Sequence, residues 1–409
     1  MSAPALKPAL VNAFLPYGRQ VIEEDDIAAV AEAMRGDLLT TGPYVNRFET
    51  ALCKTVGAKH AAVCANGTAA LHMAARALDL GPGTTVIVPA ITFLATASAP
   101  HMNGADIVFA DVDPETGLMR PKDLEAALAR AGRADAVFNV HLNGQCGALE
   151  EIAEIARAHG LKIVDDACHA IGTGYVAGDG SVTQIGSNAF SDLSVFSFHP
   201  VKSIAMGEGG AVTASDPELA RKLVLARNHG MVRDPALFVN VEDAFDAAGA
   251  PNPWYYELHR PEFNWRANDI QCALGCSQLN KLGRFVARRR LIAAHYDTLF
   301  AAHAPLIRPI ARTRPCLPAW HLYVVRIDFE RLGLSRARVM RALAERGIGT
   351  QVHYVPVHRQ PYYASHFDTP RLAGAGRYYA RCLSLPLYAS MATDDAERVV
   401  TTLVDVLGL

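Results

Sequence analysis

One lysine in this sequence stands in a setting that suits covalent chemistry. Lys202 follows the apolar run Phe196-Ser-Phe198 and precedes the glycine-rich stretch Gly207-Glu-Gly-Gly210. Glycines let the backbone pass close to a bulky group, and a lysine amine held away from water can form a Schiff base with a carbonyl. Although most lysines are solvated surface residues, this setting favours a reactive amine.

A carboxylate closes a second apolar run. Asp166 ends the stretch Leu161-Lys-Ile-Val-Asp-Asp166, and α/β proteins place their chemistry at the carboxyl ends of buried strands. A carboxylate there needs a positive partner, which the protonated nitrogen of a pyridine ring would supply. The alternative is an aspartate that only caps the following turn.

Two shorter motifs lie upstream of these residues. Asn66-Gly-Thr68 opens an alanine-rich helical pattern, where free amides favour an anion and Gly67 lets a phosphate approach. Phe93 would present an aromatic ring at the same sheet edge. The alternatives are a helix cap for the first motif and core packing for the second. Taken in order, however, a phosphate turn, an aromatic ring, a carboxylate and a lysine predict a site for pyridoxal 5'-phosphate (PLP).

An alternation of strands and helices must position these residues. The pattern predicts strands at 60–64, 85–89, 105–110, 136–140, 161–165, 210–213 and 320–328, and helices at 68–80, 93–102, 121–130, 150–159, 269–290 and 336–346. This rhythm is typical of an α/β fold with a mostly parallel central sheet flanked by helices. We therefore expect an N-terminal segment and a large PLP-binding domain at 1–292, and a small C-terminal α/β domain at 293–409.

Composition excludes several classes of function. The chain has 409 residues, with 39 Lys and Arg against 41 Asp and Glu, and no block of like charges that would favour nucleic acid. The sequence shows no signal peptide and no membrane span, so we expect a cytoplasmic protein. Its eight cysteines are scattered, which suits reduced thiols, and no motif has the spacing of a metal site.

Over nearly its whole length the chain resembles the DegT/DnrJ-type sugar aminotransferases. This resemblance implies PLP-dependent transferase fold type I and PLP as the cofactor. The residues that carry it are Leu39-Thr-Thr-Gly-Pro43, Asn66-Gly-Thr-Ala-Ala70, Pro89-Ala-Ile-Thr-Phe93-Leu-Ala-Thr96, Asp165-Asp-Ala-Cys-His-Ala170, Ser197-Phe-His-Pro-Val-Lys202, Arg227-Asn-His-Gly230, Asn264-Trp-Arg266, Asp269-Ile-Gln271 and Ser384-Leu-Pro-Leu-Tyr388.

The resemblance assigns roles to individual residues. It makes Lys202 the residue that holds the cofactor and shuttles a proton, and Asp166 the partner of its ring nitrogen. Phe93 would stack on the ring, and His169 would lie near the ring or its phenolic oxygen. The remaining cofactor contacts that it implies are with the phosphate: Gly67, Thr68 and Ser197 from the same chain, and Asn264 from a neighbouring subunit, which implies a homodimer with shared active sites.

The resemblance also extends to the substrates. Four motifs are similar to the subgroup that aminates carbon 4 of a UDP-linked 4-keto-6-deoxy-N-acetyl hexosamine in pseudaminic acid biosynthesis: Pro16-Tyr-Gly-Arg-Gln20, Ser197 to Lys202, Trp254-Tyr-Tyr256 and Gly349-Thr-Gln-Val-His-Tyr354. The amino donor would be glutamate. The residues expected to contact the nucleotide sugar are Tyr17, Leu39, Thr40, Gln351, Val352 and His353.

Three alternatives remain beside this prediction. In the first, the substrate is a different nucleotide-linked keto sugar, such as a GDP- or dTDP-linked 4-keto-6-deoxy hexose. In the second, the chain is a regulator that binds PLP without turnover. A sugar dehydratase of the same fold would resemble this chain with His in place of the lysine, and Lys202 argues against it. The sequence departs from the common family pattern at Asp165, Trp265 and Met206, where Glu, Tyr and Thr are frequent.

Overall fold

A computed structural model describes residues 14–409. Residues 1–13 lie outside the described part of the chain. They include most of the N-terminal sequence from which we expect no signal peptide. The strands are β1 His60–Cys64, β2 Thr85–Pro89, β3 Asp106–Ala110, β4 Ala136–Val140, β5 Lys162–Asp166, β6 Gly174–Val176, β7 Val182–Gln184, β8 Leu193–Ser197, β9 Gly210–Ala214, β10 Met231–Val232, β11 Glu257–Leu258, β12 Ile307–Pro309, β13 Cys316–Leu317, β14 Tyr323–Ile327 and β15 Cys382–Leu385.

Helices connect and cover these strands. They are α1 Glu24–Arg35, α2 Pro43–Val56, α3 Gly67–Ala77, α4 Leu94–Met102, α5 Pro121–Ala131, α6 Leu149–Ala158, α7 Pro217–Arg227, α8 Val241–Ala244, α9 Asp269–Leu279, α10 Leu282–Phe300, α11 Arg336–Glu345, α12 Pro361–His366, α13 Ala373–Arg381 and α14 Thr393–Leu407. Within residues 14–409, none of these helices is long and apolar enough to span a membrane.

A seven-stranded sheet with the order β1-β9-β8-β5-β4-β2-β3 forms the centre of the fold. The pairs β2-β3, β2-β4, β4-β5 and β5-β8 are parallel, whereas β9 runs antiparallel to both β8 and β1. It follows that β1 runs in the same direction as β8. The carboxyl ends of β1, β2, β5 and β8 therefore lie at one edge of the sheet, which brings the predicted site residues together.

The sequence pattern explains why the strands form where they do. All five residues of β4, Ala-Val-Phe-Asn-Val, are buried, as expected for a parallel strand covered by helices on both faces. The six strands predicted in this sheet agree with the structure to within one residue, whereas the seventh, β8, is missing from the predicted strands. Helix α3 ends at Ala77, three residues before the predicted limit, because the chain turns at Asp79, which has a φ of 55°.

The prediction of a single helix at 269–290 is wrong. The structure has two helices instead, α9 and α10, separated by a turn at Asn280 and Lys281. Lys281 is 7% exposed, and its ammonium lies 2.8 Å from the carboxylate of Asp26 in the first turn of α1. This buried ion pair joins the turn to α1, a contact between distant segments that a hydrophobic periodicity does not reveal.

The C-terminal part has its own antiparallel sheet, with the order β12-β14-β15, as the strand and helix pattern predicts for a smaller α/β unit. Position 293 lies inside α10, and buried side chains from both parts belong to one continuous core. Strand β13 also pairs with β6 of the N-terminal part. The division into 1–292 and 293–409 stays a proposal.

Candidate active site

A cavity of about 600 Å³ opens at the carboxyl edge of the central sheet. Its wall comes from the carboxyl ends of the five strands β1, β2, β4, β5 and β8, and from Tyr17 and the segment 351–354, which lie far apart in the sequence. The lining residues are Tyr17, Asn66, Gly67, Thr68, Leu71, Thr92, Phe93, Ala95, Thr96, Val140, Asp166, Cys168, His169, Ser197, His199, Val201, Lys202, Glu208, His321, Gln351, Val352, His353 and Tyr354.

One end of the cavity is suited to a phosphate. Helix α3 begins at Gly67, and the side chain of Asn66 caps it by accepting a hydrogen bond from the amide of Ala69 at 2.8 Å. The first amides of a helix have no partner within the helix, so they are available to an anion. A Cβ on Gly67 would lie 2.9 Å from the Cβ of Ser197, so a larger residue would close this cradle.

One of the glycines after Lys202, Gly210, lies against the same cradle. A Cβ on Gly210 would lie 2.3 Å from the carbonyl oxygen of Asn66, because β9 passes directly against the turn before α3. The close approach expected at this glycine-rich stretch is therefore to the backbone of the phosphate turn, whose shape Gly210 fixes.

Asp166 lies at the carboxyl end of β5 and is 6% exposed. The hydroxyl of Thr96 donates a hydrogen bond to its Oδ2 at 2.6 Å, and the amide of Cys168 donates to its Oδ1 at 3.2 Å. Each carboxylate oxygen keeps a further lone pair. This carboxylate can therefore accept a hydrogen bond from a protonated ring nitrogen in the cavity.

The amine of Lys202 lines the same cavity. Burial lowers the pKa of Lys202 from its ordinary value, and the negative charge of Asp166 opposes that shift. A lowered pKa increases the fraction of neutral amine near neutral pH, and the neutral amine is the form that attacks a carbonyl or accepts a proton.

Three of the histidines that line the cavity feel the positive charge of Lys202. Burial, together with the positive charge of Lys202, lowers the pKa values of His169 and His321 well below the ordinary value. The amide of Asn143 donates a hydrogen bond to Nδ1 of His169 at 3.2 Å, so the neutral ring carries its proton on Nε2. That Nε2 lies 3.1 Å from the hydroxyl of Tyr354. His169 is therefore held as a neutral ring in one orientation.

The third histidine, His353, gives a prediction for stability. Burial lowers its pKa from 6.5 to about 3. Between these values the unfolded chain binds a proton that the folded chain does not, so this group destabilises the fold as the pH falls from 6.5 towards 3. Replacing His353 with Gln should reduce the slope of the unfolding free energy against pH by about 1.4 kcal/mol per pH unit, measured by urea denaturation. The exposed His159→Gln variant is the control; an unchanged slope in His353→Gln would contradict the prediction.

Phe93 is the aromatic residue that we expect to stack on the ring of the cofactor. It directly precedes α4, and its side chain is 55% exposed at the cavity. Its ring centroid lies 6.0 Å from that of Tyr354. A flat ring bound between the phosphate cradle and Asp166 would cover this exposed face, and offset stacking of aromatic rings is favourable.

These features together fit PLP. The helix start offers amides to its phosphate, Asp166 can accept from its ring nitrogen, Phe93 can cover its ring, and Lys202 can reach its aldehyde. No metal ligand or second cofactor is needed to account for these groups.

The structure brings most of the predicted site residues to this one cavity. These are Gly67, Thr68, Phe93, Asp166, His169, Ser197, Lys202, Tyr17, Gln351, Val352 and His353. Leu39, Thr40 and Asn264 are exposed and do not line it within one chain. Met206 is 2% exposed and also lies outside the lining, so its departure from the family pattern does not alter the cavity wall directly.

Sequence reasoning missed several lining residues. Thr96 ends one of the motifs that carry the family resemblance, which gives it no role. Tyr354 directly follows the predicted segment 351–353. Cys168 lies next to the predicted residue His169, so adjacency is the available signal there, and Glu208 lies within the glycine-rich stretch after Lys202. His321 comes from the C-terminal part, and nothing in its local sequence connects it with the strand ends of the large sheet.

Comparison with known proteins gives a family match and close relatives. The model of the DegT/DnrJ/EryC1/StrS aminotransferase family matches residues 20–404. The spore coat polysaccharide biosynthesis protein SpsC of Bacillus subtilis (strain 168) is 38% identical over 399 residues, which are 97% of this chain and 98% of SpsC.

Solved structures show the same fold. Helicobacter pylori PseC, an aminotransferase involved in the biosynthesis of pseudoaminic acid, superposes with a TM-score of 0.86 at 28% identity, covering 97% of this chain and 99% of PseC. The PLP form of Spr1654 from Streptococcus pneumoniae gives a TM-score of 0.83 at 25% identity, covering 97% of this chain and 99% of Spr1654. The predicted fold type, with its mostly parallel sheet, is confirmed.

Proposed function

Because this chain belongs to the DegT/DnrJ/EryC1/StrS aminotransferase family, we propose that it moves an amino group from glutamate to the carbon 4 ketone of a UDP-linked 4-keto-6-deoxy-N-acetyl hexosamine. The observation that carries this proposal is the placement of Lys202 in one cavity with Asp166 and the phosphate cradle at Gly67. The choice of sugar is supported by the sequence motifs of the pseudaminic acid subgroup and by the similarity to PseC.

PLP is the cofactor, and when bound it supplies an aldehyde that takes up the amino group and a ring that withdraws electrons from the reacting carbon. Lys202 holds the aldehyde end and, once its amine is free, carries a proton on Nζ between the two carbon positions that exchange it. Such positioned proton transfer contributes roughly a hundred- to ten-thousandfold to the rate. Asp166 keeps the ring nitrogen protonated, and Gly67, Thr68 and Ser197 hold the phosphate.

We place the substrates against the part of the cavity wall that Tyr17 and the segment 351–353 form. Tyr17 and His353 pack together with ring centroids 5.4 Å apart, and Gln351 and Val352 continue the same wall. We assign these four residues to the sugar. Leu39 and Thr40 stay in the proposal as contacts made across a subunit boundary, because they do not line the cavity of their own chain.

The cavity of one chain is short of positive charge for this work. Among the lining residues of the described chain, Lys202 is the only Lys or Arg, whereas Asp166 and Glu208 are acidic. The diphosphate of a nucleotide sugar and the carboxylates of glutamate both favour polar or cationic partners. We therefore propose a homodimer in which a second copy completes each site. Separately, we propose a cytoplasmic location, as the sequence leads us to expect.

The shared site gives a testable prediction for Asn264, which is exposed and whose side-chain oxygen accepts a hydrogen bond from the amide of Arg266 at 3.2 Å. Lys202→Ala and Asn264→Ala should each be inactive, yet a 1:1 mixture after subunit exchange should regain about a quarter of wild-type activity, since half the dimers would hold one intact site. The control mixture, Lys202→Ala with Asp166→Asn, should regain none. If mixed dimers form without activity, Asn264 does not act across the interface.

The substrate is tested by absorbance. The enzyme is converted to its pyridoxamine phosphate form with glutamate, freed of glutamate and mixed with UDP-, GDP- or dTDP-linked 4-keto-6-deoxy sugars. We expect the aldehyde form to return with the UDP-linked N-acetyl sugar. A return with another nucleotide alone would keep the reaction and change the substrate. No conversion by glutamate would favour a PLP-binding regulator or a different donor, which alanine and glutamine then separate.

A further inference from the structure

Two buried hydroxyls form a chain behind the carboxylate of Asp166. The hydroxyls of Thr92 and Thr96 lie 2.7 Å apart, and Thr96 is 2.6 Å from Oδ2 of Asp166. Thr92 is 1% exposed and Thr96 is 0% exposed. A hydroxyl has one proton to donate. Because Thr96 donates its proton to the carboxylate, Thr92 must donate to Thr96, and the chain runs in one direction towards Asp166.

This chain fixes the plane of the carboxylate. Thr96 holds Oδ2, and the amide of Cys168 holds Oδ1 at 3.2 Å, so both oxygens are tied to different segments of backbone. Hydrogen bonds to a charged acceptor are stronger than neutral ones, and each bond in a chain polarises the next. Rotation of the Asp166 carboxylate would break at least one of these bonds.

The same turn also carries the aromatic side of the site. The amide of Thr96 donates to the carbonyl of Phe93 at 3.2 Å, in the first turn of α4. Thus the segment between β2 and α4 places the Phe93 ring in the cavity and the Thr96 hydroxyl on Asp166. One short segment thereby sets two contacts that the cofactor ring requires, one on its face and one at its nitrogen.

We propose that Thr96, oriented by Thr92, is a positioning residue that aims the Asp166 carboxylate at the ring nitrogen of PLP. The inference rests on the cofactor role proposed for Asp166. Without the Thr96 donor, the carboxylate would be less fixed and would compete more strongly for the proton of the ring nitrogen. Both effects weaken cofactor binding and move the ring towards its unprotonated form.

The test compares Thr96→Val, Thr96→Ser and Thr92→Val in the full-length protein. Thr96→Val should weaken PLP binding about tenfold, as expected for one lost charge-assisted hydrogen bond, while Thr96→Ser should stay within about twofold of wild type because it keeps the hydroxyl. The second readout is the 15N signal of ring-labelled PLP, which should move towards that of neutral pyridine in Thr96→Val. Thr92→Val should give a smaller change in the same direction, because it keeps the hydrogen bond from Thr96 to Asp166. This variant still tests the proposal if Thr96→Val does not fold.

The control is another buried hydroxyl, Thr213 of β9, which is 0% exposed and donates to the carbonyl of Gly186 at 2.8 Å. Thr213→Val should lower stability and leave the PLP affinity and the 15N signal unchanged. The proposal is overturned if Thr96→Val behaves like Thr213→Val, or if Thr96→Ser behaves like Thr96→Val. If Asp166→Asn also leaves the 15N signal unchanged, the cofactor role of Asp166 itself fails.

Discussion

Replacing Lys202 with alanine is expected to reduce kcat/KM for amino transfer by at least roughly a thousandfold, within the range of positioned proton transfer. The variant would lose both roles that we propose for Lys202, the amine that holds the cofactor aldehyde and the base that moves the proton. Its cavity wall is otherwise intact, so the protein should fold and bind PLP through Gly67, Thr68 and Asp166. Steady-state kinetics and the absorbance of bound PLP measure the two effects separately.

The matched control is Lys222→Ala. Lys222 lies in α7 with its side chain 31% exposed, where it pairs with Asp79 outside the cavity. That variant should keep wild-type activity, because Lys222 lies outside the cavity and the loss of a surface ion pair costs the fold little stability. A Lys202→Ala variant that turns over at more than about a tenth of the wild-type rate would show that another group does this chemistry.

Replacing Asp166 with asparagine is expected to lower kcat by roughly a hundred- to a thousandfold, as for the loss of one electrostatic stabiliser of a transition state. The amide keeps the size of the side chain but cannot hold a protonated ring nitrogen as a carboxylate does. The expected signature is a loss in both half-reactions, with glutamate and with the sugar, because each passes through the same electron-withdrawing ring. Single-turnover absorbance with each substrate measures this.

Asp192→Asn is the control for the aspartate. Asp192 accepts a hydrogen bond from the amide of Ile163 at 2.8 Å, next to the start of β5 and away from the cavity. It should affect stability and leave both half-reactions near wild type. An Asp166→Asn enzyme impaired with only one of the two substrates would place Asp166 in the binding of that substrate instead.

The parts of the site that the sequence predicts share one physical origin. Asp166 lies at the end of one predicted strand and Gly67 follows another, while Lys202 follows an apolar run that the pattern does not mark as a strand. Parallel strands bring their carboxyl ends to one edge. Once the strand positions are right, as they are for β1, β2 and β4, these residues must come close together. The resemblance to a family then gives each residue a role, which spacing alone does not.

The parts that it does not predict depend on contacts between distant segments. His321 and Tyr354 reach the cavity from the C-terminal part, and their positions are set by packing rather than by local periodicity. At the break between α9 and α10, Lys281 is buried against Asp26 of α1, which is also a contact between distant segments. The hydrogen bond from Thr96 to Asp166 joins two segments in the same way.

The most direct test of the proposed function follows the amino nitrogen itself. The enzyme with PLP is given 15N-labelled glutamate and the UDP-linked 4-keto-6-deoxy-N-acetyl hexosamine, and the product is examined by NMR and mass spectrometry. The proposal predicts a UDP-linked amino sugar with 15N bonded to carbon 4, formed together with 2-oxoglutarate. An enzyme that binds PLP and both compounds but leaves all the label in glutamate, or that removes a hydroxyl without adding nitrogen, would contradict it.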